Sequence, residues 1–442
     1  MLALCVFAAL CGAPSALVAF GPLDTIDLTG LDPVNSNPYG VVFHPTAPLG
    51  YVALAGIPSF TDPNLTNGRT VVELDLATGA WLRSFPVGLF PTELALSPDG
   101  AELCVANSTD STLSRIDLAT GGVQTLALTD SGGGLVGFPS GVLYAAGGQQ
   151  IWVLSTGNDF DGSDENVVIV DRATGTILRR EIVAGAMSRA ALLADGRLVL
   201  PVGYPDNDFS AVPQVRLYDT NTAPWSLLMT LPLVVDTAAF PGPIDVAVSS
   251  DETRAYVSVF EGSSEIFVVD LVTNSLLPAI ALPLVDNVQH GLRLTPDGSH
   301  LLVTDFFASQ VRAVELATGA VVATIATGSL PNSVAVAGGR SWVTNQGEAT
   351  ITVFALPGAY LRGDSNGDGV ANLADAIHTL QYLFSGGSLT CEDRADVNDD
   401  GTLSIADPIA LFGYLFAAGP APAYPFPLAG TDLTVDSLTC TF

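Results

Sequence analysis

The sequence predicts an all-β fold, a seven-bladed propeller, followed by a small all-α domain, and three observations carry that reading. The phrase PTELALSPDGAELCVANSTDSTLSRIDLATG at 91–121 returns in register as QHGLRLTPDGSHLLVTDFFASQVRAVELATG at 289–319. Its apolar runs are short, rich in Val, Leu and Ile, and separated by Asp-Gly and Thr-Gly, which is how strands joined by tight turns are written. Beyond residue 362 the pattern changes to an acidic loop followed by a helix-period apolar stretch, and this unit occurs twice.

Looser copies of the first phrase start near Pro38, Gly133, Met187, Pro243 and Pro331, which makes seven. Each holds an apolar run, a turn such as Ser97-Pro98-Asp99-Gly100, and a second run such as Leu103–Ala106. A third run ends in Asp-Leu-Ala-Thr-Gly, as at Asp75–Gly79 and Asp117–Gly121, and a fourth follows, such as Val321–Ile325. Four strands per copy are one propeller blade. The last copy, Pro331–Leu356, supplies three strands. Asp24–Thr29, ahead of the first copy, is the expected fourth, because closing the ring removes an exposed sheet edge. Val343-Thr344-Asn345, with Val105-Ala106-Asn107 and Val303-Thr304-Asp305, resembles the YVTN-type propeller repeats of secreted bacterial proteins, over residues 20–357.

Composition bounds the function. The chain has 442 residues, 48% of them hydrophobic and 14% charged, with a net charge of −30. Such a surface repels phosphate backbones and anionic lipids, and it suits divalent cations. All 15 basic residues are Arg, so Schiff-base lysine chemistry and a P-loop are excluded. Residues 1–19, MLALCVFAALCGAPSALVA, read as a secretory signal cut after Ala19. A membrane anchor is the alternative, but the Gly12–Ser15 break leaves a short apolar run. Export places the protein outside the cell or on its surface, with no membrane span in the mature chain. There Cys391 and Cys440 are expected to pair, and Cys104, in an apolar strand, to be a buried thiol.

Two propeller features invite a ligand. The loops Gly56–Arg69, Gly157–Asn166 and Gly203–Pro213 are long, and the last two carry Asp159, Asp161, Asp164, Glu165, Asp206 and Asp208. They read either as a cation or sugar site or as solvated acidic loops. Aligned innermost strands bring Tyr39, Glu93, Arg189, Asp245, His290 and Asn332 to one mouth of the channel. That ring reads either as a small polar-ligand pocket, as in propeller lactonases, or as polar capping. Arg293 stands where the other copies have Ala95, Ala247 and Ala335, and is expected to pair with an acid. His44, His290, His300 and His378 show no metal-ligand spacing, and His300 is expected to be exposed after its turn. No G-x-S-x-G elbow or dinucleotide fingerprint is present.

The C-terminal unit carries the specific signal. DSNGDGVANLAD at 364–375 and DVNDDGTLSIAD at 396–407 both fit a twelve-residue EF-type loop. Asp364, Asn366 and Asp368, and likewise Asp396, Asn398 and Asp400, supply the first three oxygen positions. Val370 and Thr402 offer backbone carbonyls, Asn372 and Ser404 take the ninth position, and Asp375 and Asp407 close the loops. Two calcium ions are therefore expected. Each loop leads into the same helix phrase, with Ile377, Leu380 and Phe384 on one face, and Ile409, Phe412 and Phe416 on one face of the second.

Paired loop–helix units over 362–420 resemble the type I dockerin of cellulosomal enzymes. The resemblance implies an all-α, calcium-dependent docking domain, a cohesin-like or other extracellular protein partner, and a setting in polysaccharide breakdown. It places partner contacts at Leu373, Ala374, Leu380 and Gln381, and at Ile405, Ala406, Phe412 and Gly413. Cellulosomal dockerins often carry Ser-Thr where this chain has Leu373-Ala374 and Ile405-Ala406, a departure that bears on the identity of the partner. Residues 421–442 form a Pro-rich tail tied back by the disulfide. The expected whole is a monomeric propeller that binds protein or carbohydrate and is docked by its C-terminal domain, with no nucleic-acid partner. An enzymatic propeller, a lactonase or glycoside hydrolase, is the alternative.

Overall fold

The computed structural model describes residues 20–442, apart from 57–66, 157–166, 184–188, 204–211, 235–241, 261–262, 284–288, 428, 433, 435 and 441–442. The expected signal segment and the acidic residues Asp159, Asp161, Asp164, Glu165, Asp206 and Asp208 lie outside the described residues.

Among the described residues the strands form seven four-stranded sheets. The first blade is Pro38–Phe43, Leu49–Gly56, Asn67–Asp75 and Trp81–Pro86, a meander in chain order. The seventh is Pro331–Ala337, Arg340–Asn345 and Thr350–Ala355, completed by the N-terminal strand Gly21–Asp27. Asp27 pairs with Thr350 and Gly21 with Ala355. The ring is thus closed by a strand from the other end of the propeller sequence, as the short seventh copy requires.

The core is a ring of interfaces between blades. Val52, Leu54 and Leu74 of blade one pack with Trp342, Ile351 and Val353 of blade seven. Leu302, Val311 and Ala313 of blade six pack with Val343 and Phe354 from the other side of blade seven. Each inner sheet face therefore meets a neighbour, so second strands such as Glu102–Asn107 are apolar without alternation. Outermost strands such as Ala320–Ala326 alternate, with one side of the rim in solvent. Each fully buried Val, Leu or Ile contributes about 1.5–3 kcal/mol.

The repeated Asp-Leu-Ala-Thr-Gly turn has a mechanical explanation. Asp75 Oδ1 accepts from the Thr78 amide and hydroxyl, both at 2.8 Å. The Gly79 amide returns to the Asp75 carbonyl at 2.8 Å, with φ +69°. That left-handed backbone suits glycine, which fixes the last letter of the phrase. Asn345, the last letter of the other motif, donates to Thr350 and Thr352 on the next strand at 2.9 and 3.0 Å, a ladder-end tie.

After Leu356 the described residues form three helices, Leu373–Ser385, Glu392–Ala395 and Ala406–Ala417. Ala376, Val397 and Leu411 form their small core. Cys391 and Cys440 are disulfide-bonded, and Cys104 is a buried free thiol. The tail does more than close on itself. Tyr424 donates to the Gly338 carbonyl at 2.6 Å, and Arg340 donates to the Ala429 carbonyl at 2.7 Å, so the tail lies against a turn of blade seven. His300 is half-buried rather than exposed, with its ring edge-on to Phe20 at 5.4 Å.

Candidate functional site in the channel and the C-terminal loops

The channel residues sit at irregularities of the innermost strands. Pairing between the first and second strands shifts register at Pro38/Val41, Pro91/Leu94, Gln289/Leu292 and Pro331/Val334. Tyr39, Glu93, His290 and Asn332 fall inside those shifts. A bulge turns a side chain out of the sheet face, here toward the axis.

Arg189 bridges what the bulges gather. It donates from Nε to Glu93 at 2.8 Å, from one terminal nitrogen to Asp245 at 2.7 Å, and from the other to Ser333 at 3.0 Å. Four blades are tied across the axis by one guanidinium. Burial opposes its charge, but Asp245 and Glu93 outweigh that and hold Arg189 above the ordinary Arg value. Burial pushes Glu93 upward against the pull of Arg189. Burial, aided by the Arg189 charge, pushes His290 down to about 3. The His290 ring is stacked on Phe306 at 5.2 Å, with Tyr39 at 6.2 Å and Phe260 at 6.0 Å edge-on. The ring of six expected from the repeat is thus brought together, with Ser333 as an unanticipated member. Arg293 makes no close ion pair among the described residues, but its charge acts on Glu93 and opposes the upward push of burial there. It is exposed and donates to the Val334 carbonyl at 3.3 Å, in a channel cavity of about 210 Å³ shared with Glu93 and Asp245.

The two acidic loops fold alike. Asp364 accepts from the amides of Gly367, Asp368 and Gly369 at 2.9–3.0 Å. Asp396 accepts from Asp400 and Gly401 at 3.3 and 2.9 Å. Gly369 and Gly401 have φ +88° and +73°, the sharp turn for which the sixth position needs glycine. Asp375 accepts from the Asn366 and Asn372 amides at 3.1 and 2.8 Å, and so closes the loop and caps the helix with Asn372. Asp407 accepts from Ser404 at 2.8 Å, and its other oxygen is buried with no hydrogen bond among the described residues. Burial, with Asp396 beside it, pushes Asp407 upward. In the first loop, carboxylate oxygens of Asp364, Asp368 and Asp375 lie within 4.8 Å of one another. The crowded carboxylates of the first loop, and the orphaned buried oxygen of Asp407 in the second, each fit a hard divalent cation.

Burial gives the shared helical faces their direction. Ile377 and Phe384, and Ile409 and Phe416, are exposed and look away from the helical core, while Leu380 is half-buried and Phe412 packs against that core. Ala376 and Thr379, and Pro408 and Leu411, are buried instead. Leu373, Ala374, Gln381, Ile405 and Ala406 are exposed, and Gly413 is half-buried.

Sequence reasoning missed the residue that organises this region. Arg362 is fully buried and donates to the carbonyls of Tyr424 at 2.8 Å and Asp396 at 2.5 Å. It also pairs with Asp399 at 2.9 Å and Asp432 at 3.0 Å. Its only sequence signal is a lone Arg ahead of the first acidic loop. The tail acids were missed as well. Asp432 and Asp436 are four residues apart and join Asp393, while Asp436 also approaches Asp396 and Asp399. Burial and repulsion from Asp436 and Asp432 push Asp393 up to about 6.

No protein-family model and no curated protein sequence matches this chain. Among solved structures it is similar to a chain of Kuenenia stuttgartiensis hydrazine synthase, at 16% identity and a TM-score of 0.60, over 73% of this chain and 96% of that one. No helix among the described residues is long and apolar enough to cross a membrane. With the sheet order, this establishes the architecture, a seven-bladed β-propeller carrying a small C-terminal helical region.

Proposed function

We propose that this is an exported, dockerin-like protein whose C-terminal region binds calcium in its two acidic loops and docks the propeller to a cohesin-like extracellular partner. The observation that carries the reading is a duplicated exposed apolar face. Leu373, Ile377 and Phe384 are 45%, 45% and 68% exposed, and Ile405, Ile409 and Phe416, each 32 positions later, are 52%, 59% and 69% exposed. So small a domain gains nothing for its own core from six large apolar side chains in water, and such patches mark interaction surfaces. The symmetry offers the partner two similar faces.

Calcium would be held by Asp364, Asn366, Asp368, Val370, Asn372 and Asp375, and by Asp396, Asn398, Asp400, Thr402, Ser404 and Asp407. It would supply the positive charge that these loops lack. Fixing the loops fixes the helix starts at Asn372 and Ile405, and so the spacing of the two apolar faces. The propeller acts as the presented cargo, a scaffold for protein or carbohydrate, with YVTN-like repeats as its building unit.

The enzymatic alternative places chemistry at Glu93, Arg189 and His290. The structure gives it little room. Arg189 is occupied by three partners, and His290, held near 3, is a weak base at neutral pH. The hydrazine synthase likeness carries fold and not chemistry at 16% identity.

The test is binding of the purified full chain to a panel of immobilised cohesin domains, with calcium or with chelator. Calcium-dependent binding that Ile377→Asp with Ile409→Asp abolishes, while circular dichroism is unchanged, is the expected result. Equal retention with and without calcium would refute the docking reading. A parallel screen against glycans and lactones addresses the alternative, which requires turnover lost in Glu93→Gln.

A further inference from the structure

Four carboxylates surround a single guanidinium where the tail returns to the short helix. Arg362 pairs through one terminal nitrogen with Asp399 at 2.9 Å and Asp432 at 3.0 Å. Asp393 and Asp436 share the same space, and one oxygen each of Asp393, Asp432 and Asp436 lies within 4.8 Å of the others. One positive charge cannot balance this group. A second observation points to a missing counter-charge. Asp393 is 9% exposed, and its Oδ1 has no hydrogen-bond partner among the described residues. A buried carboxylate with an unsatisfied oxygen, crowded by two other carboxylates, is costly to leave uncompensated.

We propose that the tail completes a third divalent-cation site, separate from the two loops, with Asp393, Asp432 and Asp436 as its ligands. All three donors are hard oxygens, which select calcium or magnesium over softer metals. An irregular set drawn from a short helix and the tail suits calcium, which accepts uneven geometry and fills the remaining positions with water, better than magnesium's strict octahedron. Asp432 is held by Arg362, and the Cys391–Cys440 disulfide anchors the tail two residues before Asp393 and four after Asp436. The site therefore exists only when the tail is docked. The ion would couple tail, short helix and second loop into one unit.

The experiment is equilibrium dialysis of the full chain against graded calcium chloride, with bound metal measured by atomic absorption. Asp393→Asn is expected to release one calcium per chain relative to the parent, and Asp364→Asn a different one, so that the double variant releases two. An Asp393→Asn chain that binds as much calcium as its parent overturns the site. Asp436 also approaches the second loop, so it is tested in a cycle with Asp396. Because Asp436 is exposed, Asp436→Asn should keep the fold even if Asp393→Asn does not. Asp396→Asn with Asp436→Asn should lose one more ion than Asp396→Asn alone. No further loss means that Asp436 serves only the second loop, and the third site falls. The proposal does not rest on the loop reading. Calcium lost in Asp393→Asn but kept in Asp364→Asn and Asp396→Asn would support the third site and overturn the loops.

Discussion

Replacing Arg189 with Met keeps an unbranched side chain in the channel and removes the charge. Arg189, Glu93 and Asp245 have side chains 11%, 16% and 4% exposed, so water compensates little for the loss. Removing one partner of a buried pair leaves uncompensated charge and costs about 3–5 kcal/mol. For a cooperative unit spanning 20–357, an unfolding entropy of about 2.1 cal/mol/K per residue sums to about 0.7 kcal/mol/K, so Tm should fall by about 4–7 °C. The effect carries a pH signature. Glu93 is already raised by burial in the folded state, and loss of Arg189 raises it further. Between the ordinary Glu value and that raised value the folded chain holds a proton that the unfolded chain has released. Stability from this group is therefore full at low pH and falls as pH rises through the window. Arg189→Met should be most damaging at a pH above that window and milder below it, where protonation of Glu93 removes one orphaned charge. Calorimetry of the variant and of Arg189→Met with Glu93→Gln on both sides of the window measures this. A Tm loss that is independent of pH, or that the second substitution does not relieve, would refute the electrostatic account of the clamp.

Deleting residues 20–27 removes the outer strand of blade seven and exposes the edge Thr350–Ala355. Lower cooperativity or edge-to-edge association is expected by light scattering, and an unchanged monomeric melt would contradict it. Asp364→Ala with Asp396→Ala should cost the helices 373–417 their amide protection in hydrogen exchange while the blades keep theirs. Equal protection of those helices in the variant and its parent would count against metal-coupled folding. Cys440→Ser opens a loop with a sequence separation of 49 and should cost the tail about 4 kcal/mol of local stability, read as faster proteolysis around Tyr424. Resistance equal to the parent would mean that Arg340, Tyr424 and Arg362 hold the tail unaided.

The propeller was legible because its signals are local and repeated. The Asp-Leu-Ala-Thr-Gly phrase is one turn's hydrogen-bond set plus one glycine φ, and each copy says the same thing about its own four strands. Even ring closure could be read, because a three-stranded last copy demands a strand from elsewhere. The acidic loops were legible for the same reason, as their glycines and alternating oxygens act within twelve residues. What the chain alone left open depends on contacts between distant segments. Arg189 reaches Glu93, Asp245 and Ser333 from three other blades, so its role exists only once the ring has closed. The helical period at Ile377 and Ile409 defines a face but not its direction. Which side turns inward is decided by the contact between the two helices, which buries Ala376 and Leu411 with Val397 and leaves Ile377 and Ile409 outside. Arg362 and the tail acids Asp432 and Asp436 have no local pattern at all. They become one charge network only because the disulfide and the seventh blade together bring the end of the chain back across its acidic loops, a distance in sequence over which no local rule acts.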